Sequence, residues 1–133
     1  MLVKIIIAFV CFIIFDAIWL GFIAKNFYFN SIGHLMRISN GSLSPNWLGA
    51  LSVYVLLIVG LLTFVLPKAQ ESLFLAFGYG ALFGLVTYGV YDFTNLAVLA
   101  SWPWKISLLD TLWGSVLCGT TSTIIVLFSR IFS

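Results

Sequence analysis

Three aspartates sit where an apolar sequence tolerates them least. The chain holds only four acidic residues, and three of them, Asp16, Asp92 and Asp110, lie inside long hydrophobic runs. A carboxylate at the centre of a bilayer costs about 2.5–3.5 kcal/mol on insertion scales, so such a group faces a bundle interior or a wet cavity and finds partners there. If the runs are helices rising about 1.5 Å per residue, all three carboxyls lie about 8–12 Å below one membrane face. Crowded carboxyls in a low-dielectric layer resist joint ionisation, so at least one of the three is expected to hold a proton near neutral pH.

Helical spacing widens this layer into a candidate site. In the third run Gly80, Gly84, Tyr88, Asp92 and Asn95 share one stripe, with Tyr91 adjoining, and in the fourth Asp110, Trp113, Gly114, Cys118 and Thr121 do the same. Trp19 follows Asp16 by three residues, as Trp113 follows Asp110. The D-x-x-W pair therefore occurs twice, but on antiparallel spans the two tryptophans fall on opposite sides of their aspartates in depth, which gives the repeat little weight. Each feature also has a plainer explanation. Gly80-x-x-x-Gly84 is a close-packing motif of apolar helices. A single buried Asp can simply bond a neighbouring helix. His34 is the only histidine and no Cys pair has metal-ligand spacing, so no metal site and no cofactor is expected. Cys11 and Cys118 read as small packing residues.

The elements that must position these groups follow from composition. Of 133 residues 62% are hydrophobic and 8% charged, against about a quarter charged in a soluble domain, so the solvent is lipid. In hydrocarbon only helices or a closed barrel satisfy the backbone, and runs without two-residue alternation exclude the barrel. The fold class expected is an all-α membrane bundle of about four transmembrane helices, one domain over 1–133, with spans at about 2–24, 47–66, 73–100 and 106–132. The first run has no small-x-small cleavage site and is expected to be a retained span rather than a signal peptide. Pro67 is expected to close the second span.

Four crossings put both termini on one side and the long loop 25–46, together with the turn before the fourth span, on the other, the loop face. Lys4, Lys68 and Arg130 balance Lys25, Arg37 and Lys105, so charge does not orient the protein. Trp47, Trp102 and Trp104 all mark the loop face. The apolar character of Phe27 to Arg37 predicts that this segment folds over the mouth of the acidic layer, carrying His34 or Arg37 toward the carboxyls.

At these same positions the sequence resembles a known family. Asp16-Ala-Ile-Trp-Leu-Gly21, Phe27-Tyr28, Gly33-His-Leu-Met36, Gly80-Ala-Leu-Phe-Gly-Leu-Val86, Tyr91-Asp-Phe-Thr-Asn-Leu-Ala97, Trp102-Pro103 and Leu109-Asp-Thr-Leu-Trp-Gly114 are similar, in order, to the small bacterial inner-membrane proteins of domain-of-unknown-function family 2177. The likeness covers nearly the whole chain and is weakest over Arg37 to Pro45. It implies a four-span protein of the bacterial inner membrane, and supplies no reaction and no catalytic residues.

Function must therefore be read from the residues. The first reading is a protein that binds, or helps to transport, a small cationic ligand at Asp16, Trp19, Tyr88, Tyr91, Asp92, Asn95, Asp110 and Trp113, with His34 and Arg37 above them, because carboxylates plus aromatic faces suit a cation. The second is a membrane-embedded enzyme acting on a lipid or isoprenoid. The third is an accessory protein whose carboxyls only hold helices together. Membrane lipids, a small-molecule or lipid ligand and a second copy of the chain are the partners expected; the scattered charge excludes nucleic acid.

Overall fold

The computed structural model describes all residues, Met1–Ser133. Four helices are long and apolar enough to cross a membrane: α1 (Leu2–Ile23), α3 (Trp47–Ala69), α4 (Leu73–Val98) and α5 (Trp104–Ile131). Between α1 and α3 lie a short helix α2 (Lys25–Ile32) and an antiparallel hairpin, β1 (Ile38–Ser39) with β2 (Ser42–Leu43). The expected all-α bundle is the observed one.

Local chemistry explains the joints. Asn40 and Gly41 have φ of 51° and 76°, the positive angles that an Asn-Gly hairpin turn requires, so β1 and β2 form a tight hairpin. Asn46 and Ser72 cap α3 and α4, their side chains accepting hydrogen bonds from the backbone N–H of Gly49 and Leu75. α3 differs from expectation in running through Pro67 to Ala69. A proline in an α-helix lacks one donor and crowds the carbonyl four residues back. Here the turn Leu61–Val65, just before the proline, is widened to π-type, and the helix continues past the obstacle. A second widened turn, Trp19–Ile23, ends α1.

α5 is the central helix and buries the most residues. α4 lies closest to it, because Gly80 and Gly84 meet the α5 backbone at Cys118 and Gly114, while Gly114 in turn receives the Tyr88 ring. α1 packs on α5 from another side. α3 joins α1 through Phe12 and Tyr54, whose rings stack 5.9 Å apart, and buries Leu57, Leu61 and Val65 deeper down. Its half nearer the loop face is flanked by clefts on both sides, one of about 630 Å³ against α1 and the hairpin and one of about 520 Å³ against α4.

Candidate functional site

The three carboxyls do not share one pocket; they form two separate sites joined by aromatic residues. Asp16 on α1 accepts hydrogen bonds at both oxygens, from the Tyr54 hydroxyl at 2.8 Å and from the Trp113 indole N–H at 2.9 Å. Helices α3 and α5 thus each present a neutral donor to it. Asp110 on α5 accepts from the Tyr28 hydroxyl at 2.6 Å, and the Trp19 indole N–H donates to that hydroxyl at 3.2 Å. Trp19 and Trp113 stack face to face, with ring centroids 4.5 Å apart and an interplanar angle of 3°.

The repeated D-x-x-W pair is therefore a cross-link. On antiparallel helices Trp113 falls at the depth of Asp16 and Trp19 at the depth of Asp110, so each tryptophan serves the other helix's aspartate, Trp19 by way of Tyr28. Opposite placement in depth, which argued against a meaningful repeat, is what lets the two pairs interlock. Stacked indoles interact electronically, so near-ultraviolet circular dichroism should show a paired-indole signal that either Trp19→Phe or Trp113→Phe abolishes. A signal that survives both changes would come from the other tryptophans.

Asp92 on α4 is different. Its side chain is 0% exposed, and neither carboxyl oxygen has a hydrogen-bond partner. The Asp110 carboxyl and the Thr111 hydroxyl adjoin it, and the Thr111 oxygen is equally buried and unpartnered. From α5 the Ser107 hydroxyl donates to the Asp92 backbone carbonyl at 3.3 Å, tying the two helices together at this level.

The remaining expected residues divide. Tyr88 and Tyr91 line the cleft between α3 and α4, with Tyr91 edge-on to Trp102 at 6.0 Å and Asn95 beside it. His34 reaches the Ser101 hydroxyl at 3.1 Å, at the turn between α4 and α5, and Arg37 is exposed. Neither is hydrogen-bonded to a carboxylate; the one hydrogen bond from a cationic side chain is Arg130 to the Glu71 carbonyl. The segment does fold over the loop face, but the group it delivers is Tyr28. Burial, with the Asp110 carboxyl adding to it, pushes that hydroxyl above the ordinary tyrosine range, so it stays protonated and donates across the physiological range.

Two partners escaped the reading of the sequence, Tyr28 and Tyr54. Tyr54 carried the clearer signal, as the one tyrosine in a span with no charged residue before Lys68. It marks the cleft between α1 and α3, which Asp16 lines together with Phe9, Phe29, Trp47 and Lys25.

The sequence profile described as predicted membrane protein, domain of unknown function 2177 (DUF2177), matches residues 1–127. The chain belongs to this family. No curated protein and no solved structure matches it. The DUF2177 description states membrane residence and no reaction, in keeping with four apolar helices. What this DUF2177 protein offers chemically is a carboxyl open to a largely apolar cleft at Asp16, and a second pair of carboxyls, Asp92 fully buried and Asp110 half-buried.

Proposed function

We propose that this DUF2177 protein binds a small cation with an apolar body, such as a lipophilic amine or onium ion, in the cleft between α1 and α3. The observation that carries this reading is Asp16: a carboxyl held by two neutral donors and by no cation, lining a cleft of about 630 Å³ whose walls are mostly hydrophobic. Attraction to the carboxylate and to the Phe9 and Tyr54 rings would hold the charge, and the apolar walls the body. Lys25 does not cancel Asp16, since its ammonium sits 6.0 Å from the Phe29 ring centre at the mouth. Titrating the purified protein in detergent with tetraphenylphosphonium tests this. Binding should be saturable and weaken about tenfold or more in Asp16→Asn, a loss of one favourable charge interaction. Equal binding of a neutral isostere, or an unchanged Asp16→Asn, would refute it.

The same bonds favour a second reading, in which Asp16 only ties α1 to α3 and α5. Under that reading Asp16→Asn, which keeps an acceptor, leaves every ligand measurement flat and lowers stability slightly. The location proposed is the bacterial inner membrane. Passage of a ligand across it would need a second copy of the chain, because Ala8, Phe12, Leu57, Leu61 and Leu117 fill the bundle below Asp16.

A further inference from the structure

We propose that Asp92 and Asp110 share one exchangeable proton, and that a cation entering the cleft at Asp16 displaces it, so that the protein exchanges protons for cations. The exchange rests on the cation site proposed above; the shared proton does not.

The geometry comes first. Three buried polar atoms at one spot, both Asp92 oxygens and the Thr111 hydroxyl oxygen, have no partner, in a chain that satisfies Asp16 twice over. An ionised carboxylate with no partner is strongly disfavoured at 0% exposure, because burial strips its hydration and nothing replaces it. A proton shared with Asp110 gives one Asp92 oxygen its partner, and the adjoining Thr111 hydroxyl, which needs no added proton to donate, can turn to the other. With the proton on Asp92, the carboxylic acid donates to the neighbouring Asp110 oxygen that Tyr28 leaves free, and its carbonyl oxygen accepts from Thr111. Asp110 then has two donors, Tyr28 and Asp92, matching the two that Asp16 receives.

The charged and titratable groups around the pair do not replace that proton. They are Tyr28 from α2, Tyr88 and Tyr91 from α4 and Asp16 from α1, all neutral or negative. The nearest loop-face basic side chains are engaged elsewhere, Lys105 over the Phe27 ring at 5.5 Å and His34 on Ser101. No cationic side chain bonds these carboxyls, so protonation is what limits the negative charge of the acidic layer.

A cation bound at Asp16 changes this balance. It supplies a positive charge within the same low-dielectric layer, where attraction between charges is several times stronger than in water. Ionising the second carboxyl then costs less. The step is an O–H heterolysis: the Asp92 acid loses H⁺ to water at the loop face, both aspartates become carboxylates, and one cation has entered. The aromatic cross-link joins the sites mechanically, since Asp110 holds Tyr28, Tyr28 holds Trp19, and Trp19 stacks on the indole that bonds Asp16. Linkage fixes the sign. Binding that releases one proton tightens as pH rises, so on the acid side of the pair's titration the Kd for the cation should fall about tenfold per pH unit.

Two measurements on the full chain in detergent test this. Infrared titration of the ligand-free protein should show a protonated-carboxyl band at neutral pH that Asp92→Asn removes and His34→Ala leaves intact. The absence of such a band in the wild type overturns the shared proton. If Asp92→Asn does not yield folded protein, Thr111→Val must shift the band, and an unshifted band is equally fatal. In weakly buffered solution, tetraphenylphosphonium should release about one proton per cation bound, and Asp92→Asn should bind it with no release and a flat pH profile. Binding without release in the wild type, or undiminished release in Asp92→Asn, overturns the exchange. If tetraphenylphosphonium does not bind at all, the exchange falls together with the cation site, while the shared proton stands or falls on the infrared band alone.

Discussion

Replacing Gly84 by alanine should destabilise the bundle by about 3 kcal/mol or more, although it adds a single methyl group. A Cβ at this position would overlap the Gly114 carbonyl of α5 and stand 2.9 Å from the Cys118 Cβ. The obstacle is backbone, so no rotamer change relieves it, and α4 must move away from α5. Helices in lipid are held by close packing rather than by hydrophobic exclusion, so a lost contact along this seam has little to offset it. The displacement would also lift Tyr88 from Gly114 and Asp92 from Thr111, which extends the damage to the acidic layer. Gly78 is the internal control, because nothing lies within 4 Å of where its Cβ would be. Gly78→Ala should be neutral or gain up to about 1 kcal/mol from better helix propensity. Thermal unfolding followed by circular dichroism separates the two; equal midpoints for both variants would show that the glycine contact does not hold α4 on α5.

The four crossings were legible in the sequence because lipid imposes a rule on every residue of a span, and 20-residue apolar runs obey it visibly. Pro67 misled for the opposite reason. Its effect depends on a widened turn at Leu61–Val65, which no local pattern announces. The stripe Gly80, Gly84, Tyr88, Asp92 was legible as one face of a helix, and that face does meet α5. Depth alone could not say which carboxyls touch. Asp16, Asp92 and Asp110 come from helices whose rotation about their axes is set by the packing of many residues, and of the three it is Asp92 and Asp110 that adjoin. The loop was the least legible part. Its apolar residues pointed to docking, and His34 and Arg37 drew attention away from Tyr28, which has both an apolar ring to bury and a hydroxyl to donate.

Removing that hydroxyl should release the loop. In Tyr28→Phe the ring can still pack beside Ile32 and Ile106, so apolar burial is nearly unchanged and the loss is confined to hydrogen bonds. Two break at once: the 2.6 Å bond that Tyr28 donates to Asp110, and the 3.2 Å bond that it accepts from Trp19. A hydrogen bond to a charged group contributes about 1.5–3 kcal/mol, which corresponds to opening about ten to a hundred times more often. Because α2 is short and joined to the bundle mainly through this cluster, the cost should appear as local opening rather than global unfolding. Hydrogen exchange at the backbone of Phe27 to Ile32 should accelerate by that factor while exchange in α4 and α5 stays as it was. His34→Ala removes only an exposed bond to Ser101 and should speed the same amides by a factor of a few at most. If His34→Ala opens α2 more than Tyr28→Phe does, then the turn between α4 and α5 holds the loop in place, and Asp110 does not.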